Sequence, residues 1–296
     1  MNSRIDPTPF VQFVRQRARK ASRLLPPHSP AYRQALNRIR RPVDYMRCAE
    51  FPLALEQLSL QTGTRVLDVA SPQWFSLYLA TQFPQTQFLY VNLLVNELEQ
   101  IREVSGCLGI QNIHYHECDV RSLPFDPEYF DRVVSLSAIE HVGPENGGDA
   151  LALKEIHRVL APHGTLTLSV PLKQVRNVMY SNRPVYDRVV TRDNFFAREY
   201  DLEQFLAVID TAGFQINKKA LIIEQPGLGA LDDLEWGRGR KRLYGKYGVF
   251  LVRAIEKYLN IYLEDKFAVR YLRVASEITY RPVNIVATLA KADPRQ

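Results

Sequence analysis

The chain has 296 residues, 46% of them apolar and 24% charged, enough to bury a sizeable core and too apolar for global disorder. It has no run of about 18 uncharged apolar residues, which excludes a membrane-spanning helix, and its start lacks the continuous apolar stretch of a secretory signal. The net charge of +6 is uneven: residues 1–47 hold eleven Arg or Lys against Asp6 and Asp44, whereas the remainder holds 27 basic and 30 acidic groups. A nearly neutral body argues against a nucleic-acid-coated surface, and no specific nucleic acid is expected as a partner. Three scattered cysteines, Cys48, Cys107 and Cys118, suit neither a disulfide framework nor a metal cluster. They predict a reducing, cytoplasmic setting.

Thr8 to Leu25 reads as an amphipathic helix closed by Pro26-Pro27. Phe10, Val14, Ala21 and Leu24–Leu25 recur at helical spacing, with Arg15, Arg19, Lys20 and Arg23 mostly elsewhere on the wheel. It is a helix docked on its own domain, a helix on an anionic membrane surface or partner, or an organelle-targeting presequence. A second helix is predicted over Asp44–Leu60. From Thr64 short apolar strands alternate with helix-period segments, the signature of a parallel sheet with crossover helices. The predicted strands are Arg65–Ala70, Gln87–Asn92, Asn112–Cys118, Phe130–Ser137 and Thr165–Val170, then Phe214–Glu224 after a helix at Asp201–Ala212. The crossover helices are Pro72–Phe83, Glu97–Ser105 and Asp149–Leu160, with a turn at Ala161–Gly164. The pattern breaks at 226–280, which reads as a helical insertion or cap carrying a strong helix from Val249 to about Phe267. Strand character returns at Val283–Ala290. The predicted organisation is a basic helical extension over 1–61, an α/β core over 62–225, the insertion over 226–280, and a last strand and tail over 281–296.

In a doubly wound sheet the ligand lies beyond the carboxyl ends of the strands, where strand order reverses. The turn after the first strand reads Val66-Leu67-Asp68-Val69-Ala70-Ser71-Pro72 and holds no glycine, although a Cβ there obstructs close approach of ligand to backbone. Ser71 reads as an N-cap and Pro72 as the first helical residue, so that free N–H groups could hold a carboxylate. A well-capped helix without a ligand is the competing reading. Asn92 ends the second strand, where an acidic residue would accept from both ribose hydroxyls; its amide side is a donor, so bidentate acceptance is lost. His114 and His116 share one strand face but lack a third ligand, so no metal is expected.

Cys118-Asp119-Val120-Arg121-Ser122-Leu123-Pro124-Phe125 is followed by Phe130-Asp131-Arg132-Val133-Val134-Ser135. With Asp68 upstream and Glu155–Gly164 downstream, this series resembles the class I S-adenosylmethionine-dependent methyltransferases, in their small-molecule branch. The likeness runs from about Gly63 to Ile223, plus the last strand. It implies a doubly wound, mostly parallel, Rossmann-like seven-stranded sheet and methyl transfer from S-adenosylmethionine to a small-molecule or lipid-like acceptor by direct in-line displacement. A binding or assembly subunit on the same fold is the alternative.

The resemblance also implies roles. Asp68, with Ala70 and Ser71, would lie near the methionine part of the cofactor, Asn92 near the ribose, and Asp119 with Val120 at the adenine. Ser137 through His141 would line the methyl-transfer side. The family's Gly-x-Gly is here Ala70-Ser71-Pro72, and its acidic ribose ligand is Asn92. His141 could take the acceptor's proton, or hydrogen-bond a nearby loop; Glu140 could orient the histidine or substrate, or lie on a helix surface. By its place after the fifth strand, the loop Lys173–Tyr200, with Asn182, Arg183, Tyr186 and Asp187, is the candidate acceptor segment; a solvated loop is the competing reading.

Overall fold

The structure, a computed structural model, describes residues 5–181, 194–225 and 262–292. In chain order its elements are α1 (Thr8–Leu24), α2 (Pro30–Arg40), α3 (Arg47–Leu58), β1 (Arg65–Val69), α4 (Gln73–Gln82), β2 (Gln87–Asn92), α5 (Val95–Leu108), β3 (Ile113–Glu117), β4 (Phe130–Leu136), a single 3-10 turn (Ile139–His141), α6 (Gly148–Val159), β5 (Leu160–Pro171), β6 (Asn177–Ser181), β7 (Asn194–Glu199), α7 (Leu202–Thr211), β8 (Phe214–Glu224), α8 (Glu264–Tyr271), β9 (Leu272–Ala275) and β10 (Arg281–Lys291). The chain divides into two compact units, Leu53–Ala220 with Asn284–Gln296, and Met1–Pro52 with Leu221–Val283. No described helix is long and apolar enough to cross a membrane.

The larger unit is built on β3, β2, β1, β4 and β5, adjacent in that order, and among the described residues the full strand order of the sheet is β3-β2-β1-β4-β5-β10-β8-β9. The first five run parallel, with Leu67 opposite both Leu89 and Val133, and β10 lies antiparallel on β5. Val66, Leu67 and Val69, Val133, Val134 and Leu136, and Leu166, Leu168 and Val170 are all buried. Such near-continuous apolar runs mark strands covered on both faces. Strand order reverses between β1 and β4, which opens a crevice beyond their carboxyl ends. α6 buries Ala152, Leu153, Ile156 and Val159, the spacing of one helical face. Asp201 caps α7 by accepting the Gln204 N–H at 2.8 Å, as its position predicts.

Three expectations are corrected. The sheet has eight strands, because β9 pairs antiparallel with Leu221–Glu224. Its four residues are too few for their alternation to stand out from a helical background. Ala161–Gly164 is a bulge inside β5: Phe130 pairs with Leu160 and Arg132 with Thr165, so four residues loop out opposite Asp131. A Cβ on Gly164 would stand 2.6 Å from the Leu160 side chain, which explains glycine there. Lys173–Tyr200 is not simply a loop, since β6 and β7 form an antiparallel pair with Tyr180 opposite Phe195. Of the helix predicted over Val249–Phe267, the part before residue 262 lies outside the described residues, and α8 runs on to Tyr271.

In the smaller unit α1 buries Phe10, Val11, Phe13, Val14, Ala18 and Ala21, and packs on α2, where Ala31 and Ala35 are fully buried. The Phe10 and Phe51 ring centroids are 5.5 Å apart. Most of the apolar face of residues 8–25 is thus covered, while Leu24 at its end and Arg19, Lys20 and Arg23 are exposed. α2, not among the predicted helices, carries its own start signal: Ser29 Oγ accepts the Tyr32 N–H at 3.1 Å and Pro30 opens the helix. Tyr45 ties the later segments in, its N–H donating to Glu264 and its hydroxyl to Glu224, both at 2.9 Å.

Candidate active site

The predicted positions Asp68, Ala70, Ser71, Asn92, Asp119, Val120, Ser137, Glu140 and His141 lie at or just beyond the carboxyl ends of β1 to β4, at one edge of the larger unit. Two non-glycine residues with left-handed backbone flank the switch point, Ala70 at φ +49° and Ser137 at φ +46°. Such conformations cost on the order of 1 kcal/mol and persist where the surroundings over-determine them. The surroundings here are hydrogen bonds. Ala70 N–H donates to Val91 O at 2.9 Å, and Ser137 N–H donates to Ser169 O at 2.9 Å.

Ser71 does not cap α4, which starts at Gln73 with Pro72 before it and no side-chain cap. Its buried Oγ instead accepts the Leu136 N–H at 3.1 Å, while Ser135 Oγ donates to Val69 O at 3.1 Å. The strand-end amide of Leu136 needs a partner once buried, and that demand outweighs helix capping. Tyr90 closes the same turn, its hydroxyl donating to Ser71 O at 3.0 Å. Asp68 is buried and holds the turn from inside: its carboxylate accepts the Ser71 N–H at 3.1 Å and the Ser76 hydroxyl at 2.6 Å. Burial raises its pKa to about 6, although the bonds from Ser76 and Ser71 pull the other way.

Asn92 is buried at the end of β2. Its Oδ1 accepts the Leu94 N–H at 3.0 Å, and its Nδ2 donates to Glu97 at 2.9 Å. Asp119, after β3, accepts from the Arg121 guanidinium at 2.9 and 3.0 Å and from the Arg121 N–H at 2.9 Å. Arg121 also donates to Gly143 O at 2.8 Å, joining the β3 loop to the β4 loop. Val120 between them is half-buried.

Glu140 is 1% exposed, which rules out a helix-surface position, and its Oε1 lies 3.8 Å from His141 Nε2. His141 Nδ1 stands 2.9 Å from Phe196 O. A carbonyl only accepts, so Nδ1 carries the proton and Nε2 is the basic nitrogen of the neutral ring.

Sequence reasoning missed Arg198 of β7. Buried at 3% exposure, it donates to Val142 O at 2.8 Å and Glu145 O at 2.9 Å, and to Pro144 O. Asp149 lies 3.6 Å from its Nε and accepts the Tyr200 hydroxyl at 2.8 Å. One guanidinium thereby fixes the segment after His141. No local signal marks it, because the carbonyls it bonds are more than fifty residues away and Asp149 nearly as far. Glu97, five residues beyond the end of β2, reads in sequence only as the start of a helix, yet its carboxylate accepts from Asn92 Nδ2. His114 and His116 do not act together: His114 bonds Gln87 at 3.0 Å and His116 packs edge-on against Phe125. Asn182, Arg183, Tyr186 and Asp187 lie outside the described residues.

A family model described as a methyltransferase domain matches residues 67–168, from within β1 to within β5. No curated protein matches the chain significantly. Among solved structures, the chain is similar to coclaurine N-methyltransferase bound to N-methylheliamine and SAH, at 16% identity and TM-score 0.53, over 82% of this chain and 70% of that one. It is similar to a (4+2)-cyclase, SpnF, at 19% identity and TM-score 0.51, over 83% of both chains. A putative methyltransferase from Bacillus halodurans aligns at 17% identity and TM-score 0.51, over 82% of this chain and 99% of that one. At such identities the likeness concerns the fold. Residues 67–168 therefore match a methyltransferase domain, and the strand order around them is that of a Rossmann-like methyltransferase fold.

Proposed function

We propose that the chain transfers a methyl group from S-adenosylmethionine to a small-molecule or lipid-like acceptor by direct in-line displacement. The observation that carries this reading is the left-handed backbone of Ala70, which gives the β1–α4 turn the conformation glycine otherwise supplies. A second observation supports the fit of the cofactor. Trp74 Nε1, in the first turn of α4, is buried without a hydrogen-bond partner among the described residues, a donor suited to an anionic group.

When bound, S-adenosylmethionine supplies a methyl group on an electrophilic sulfonium, so alignment accounts for much of the rate. The start of α4 holds the carboxylate through its N–H groups and positive dipole end. Asp68 acts one step back, fixing Ser71 and Ser76 and thereby the turn. Asp119, steadied by Arg121, accepts from the adenine amine, with the Val120 backbone beside it. Ser137 and Glu140 border the acceptor side, where His141 takes the acceptor's proton on Nε2. Asn182, Arg183 and Tyr186 remain our proposed acceptor contacts. Thermal-shift and calorimetric titration with S-adenosylhomocysteine tests the reading, because a ligand of the native state raises apparent stability. No stabilisation at millimolar ligand overturns it.

A binding or assembly subunit is the second reading. It is favoured by Asp68 and Asp119, both of which already serve the chain's own donors. Binding of S-adenosylhomocysteine without methyl release to any acceptor mixture would support it. We further infer a cytoplasmic setting and a contact between α1, residues 8–25, and an anionic membrane surface, supported by the exposed Arg19, Lys20 and Arg23.

A further inference from the structure

Resting on the cofactor reading above, we propose that Glu97 supplies the ribose-binding carboxylate that the end of β2 lacks, and that Asn92 is the positioning residue that holds it. Asn92 occupies the strand-end position, but both ends of its amide are engaged: Oδ1 with the Leu94 N–H at 3.0 Å and Nδ2 with Glu97 Oε2 at 2.9 Å. The second bond runs to a carboxylate five residues further on, in the first turn of α5. Gln73, the first residue of α4, donates to Glu97 O at 3.0 Å, so the backbone of Glu97 is tied to the end of the turn that follows β1. Ala70 N–H bonds Val91 O in the same place. The carboxylate therefore belongs to the crevice between the ends of β1 and β2. Burial is partial, which leaves it within reach of a ligand.

The chemistry fits a vicinal diol. A carboxylate has two oxygens and about four acceptor directions, so a bond from Asn92 does not exhaust it. An amide at position 92 alone would present a donor to one hydroxyl. A carboxylate braced by that donor presents an acceptor and a charge, and charged hydrogen bonds are the stronger kind. The position also agrees with the helix dipole, which favours an anion in the first turn.

The test measures, by calorimetry on the full chain, the affinity of S-adenosylhomocysteine and of its 2′,3′-dideoxy analogue for wild type, Glu97→Gln, Glu97→Asp and Asn92→Asp. Glu97→Gln keeps an oxygen that accepts from Asn92 and removes only the charge. It is expected to weaken S-adenosylhomocysteine roughly tenfold or more, while binding of the dideoxy analogue stays within about twofold of wild type. Glu97→Asp retains the charge and retracts it by one methylene; it should show the same selective loss, and it keeps the test decisive if the amide variant does not fold. Asn92→Asp should also lose affinity, since two carboxylates at hydrogen-bonding distance repel or share a proton. Equal losses for both ligands, or none, overturn the role of Glu97 while leaving the cofactor reading intact. Failure of wild type to bind either ligand overturns the cofactor reading and this assignment with it.

Discussion

Ser76 Oγ donates to the Asp68 carboxylate at 2.6 Å, so the acid that begins the cofactor turn is bound first by the turn itself. With the Ser71 N–H on its other oxygen, Asp68 clasps the β1–α4 connection from beneath. A charge so buried is costly, and the raised pKa of about 6 expresses that cost.

That cost gives a pH signature. A carboxyl whose folded pKa exceeds its unfolded value contributes stability that is complete below pH about 4 and is lost as pH rises through about 6. Asp68→Asn can keep both contacts, since Ser76 can reverse its hydroxyl. The stability of the variant relative to wild type should therefore improve by on the order of 3 kcal/mol between pH 4 and pH 7. Urea unfolding across that range measures it, and a pH-independent difference would refute the buried-charge account.

Ala70→Gly should relieve the left-handed strain at φ +49°. The expected gain is about 1 kcal/mol or less, because glycine also loosens the unfolded chain. Ala70→Val should cost about 2 kcal/mol, as branching at Cβ suits this region poorly. Denaturation midpoints of the two variants moving in the same direction would contradict the structure of the turn.

Arg198→Met leaves Asp149 as an unpaired buried charge and frees the carbonyls of Val142, Pro144 and Glu145. A loss of roughly 3–5 kcal/mol is expected. Hydrogen exchange should rise first over residues 139–148. Protection unchanged there would mean that the guanidinium is not what holds the segment.

His141→Gln should lower kcat about a hundredfold or more, the usual contribution of general-base catalysis, with S-adenosylhomocysteine affinity unchanged. The acidic limb of the pH–rate profile should vanish with it. If kcat falls but that limb persists, His141 merely anchors β7 through Phe196 O.

Reversing the exposed charges of α1 with Arg19→Glu, Lys20→Glu and Arg23→Glu should abolish binding of the full chain to anionic vesicles at about 0.15 M salt and leave its melting temperature within a few degrees. Retention of vesicle binding would remove α1 from that role.

Periodicity located the elements of the sheet because each buries a continuous apolar face. The five parallel strands and α1, α4, α5, α6 and α7 fall within a few residues of their predicted spans. The strand-end rule then places Asp68, Asn92, Asp119 and Ser137–His141 at one edge of the sheet from the sequence alone. Local pattern failed where the partner is remote. Ser71 looks like a cap in isolation, yet its hydroxyl serves Leu136, sixty-five residues on. Four residues at β9 carry too little alternation to declare a strand without Leu221–Glu224 beside them.

By itself, then, the amino-acid order determined which segments form the α/β sheet and which residues gather beyond its strand ends, since hydrophobic period is a property of neighbours along the chain. Tertiary structure alone decided what those residues are bonded to. Ala70 without glycine still turns left-handed because Val91 O waits for its N–H. Asn92 is coupled to Glu97, Asp119 to Arg121, and the loop after His141 to Arg198, because a buried donor or charge takes the partner that the fold brings within reach.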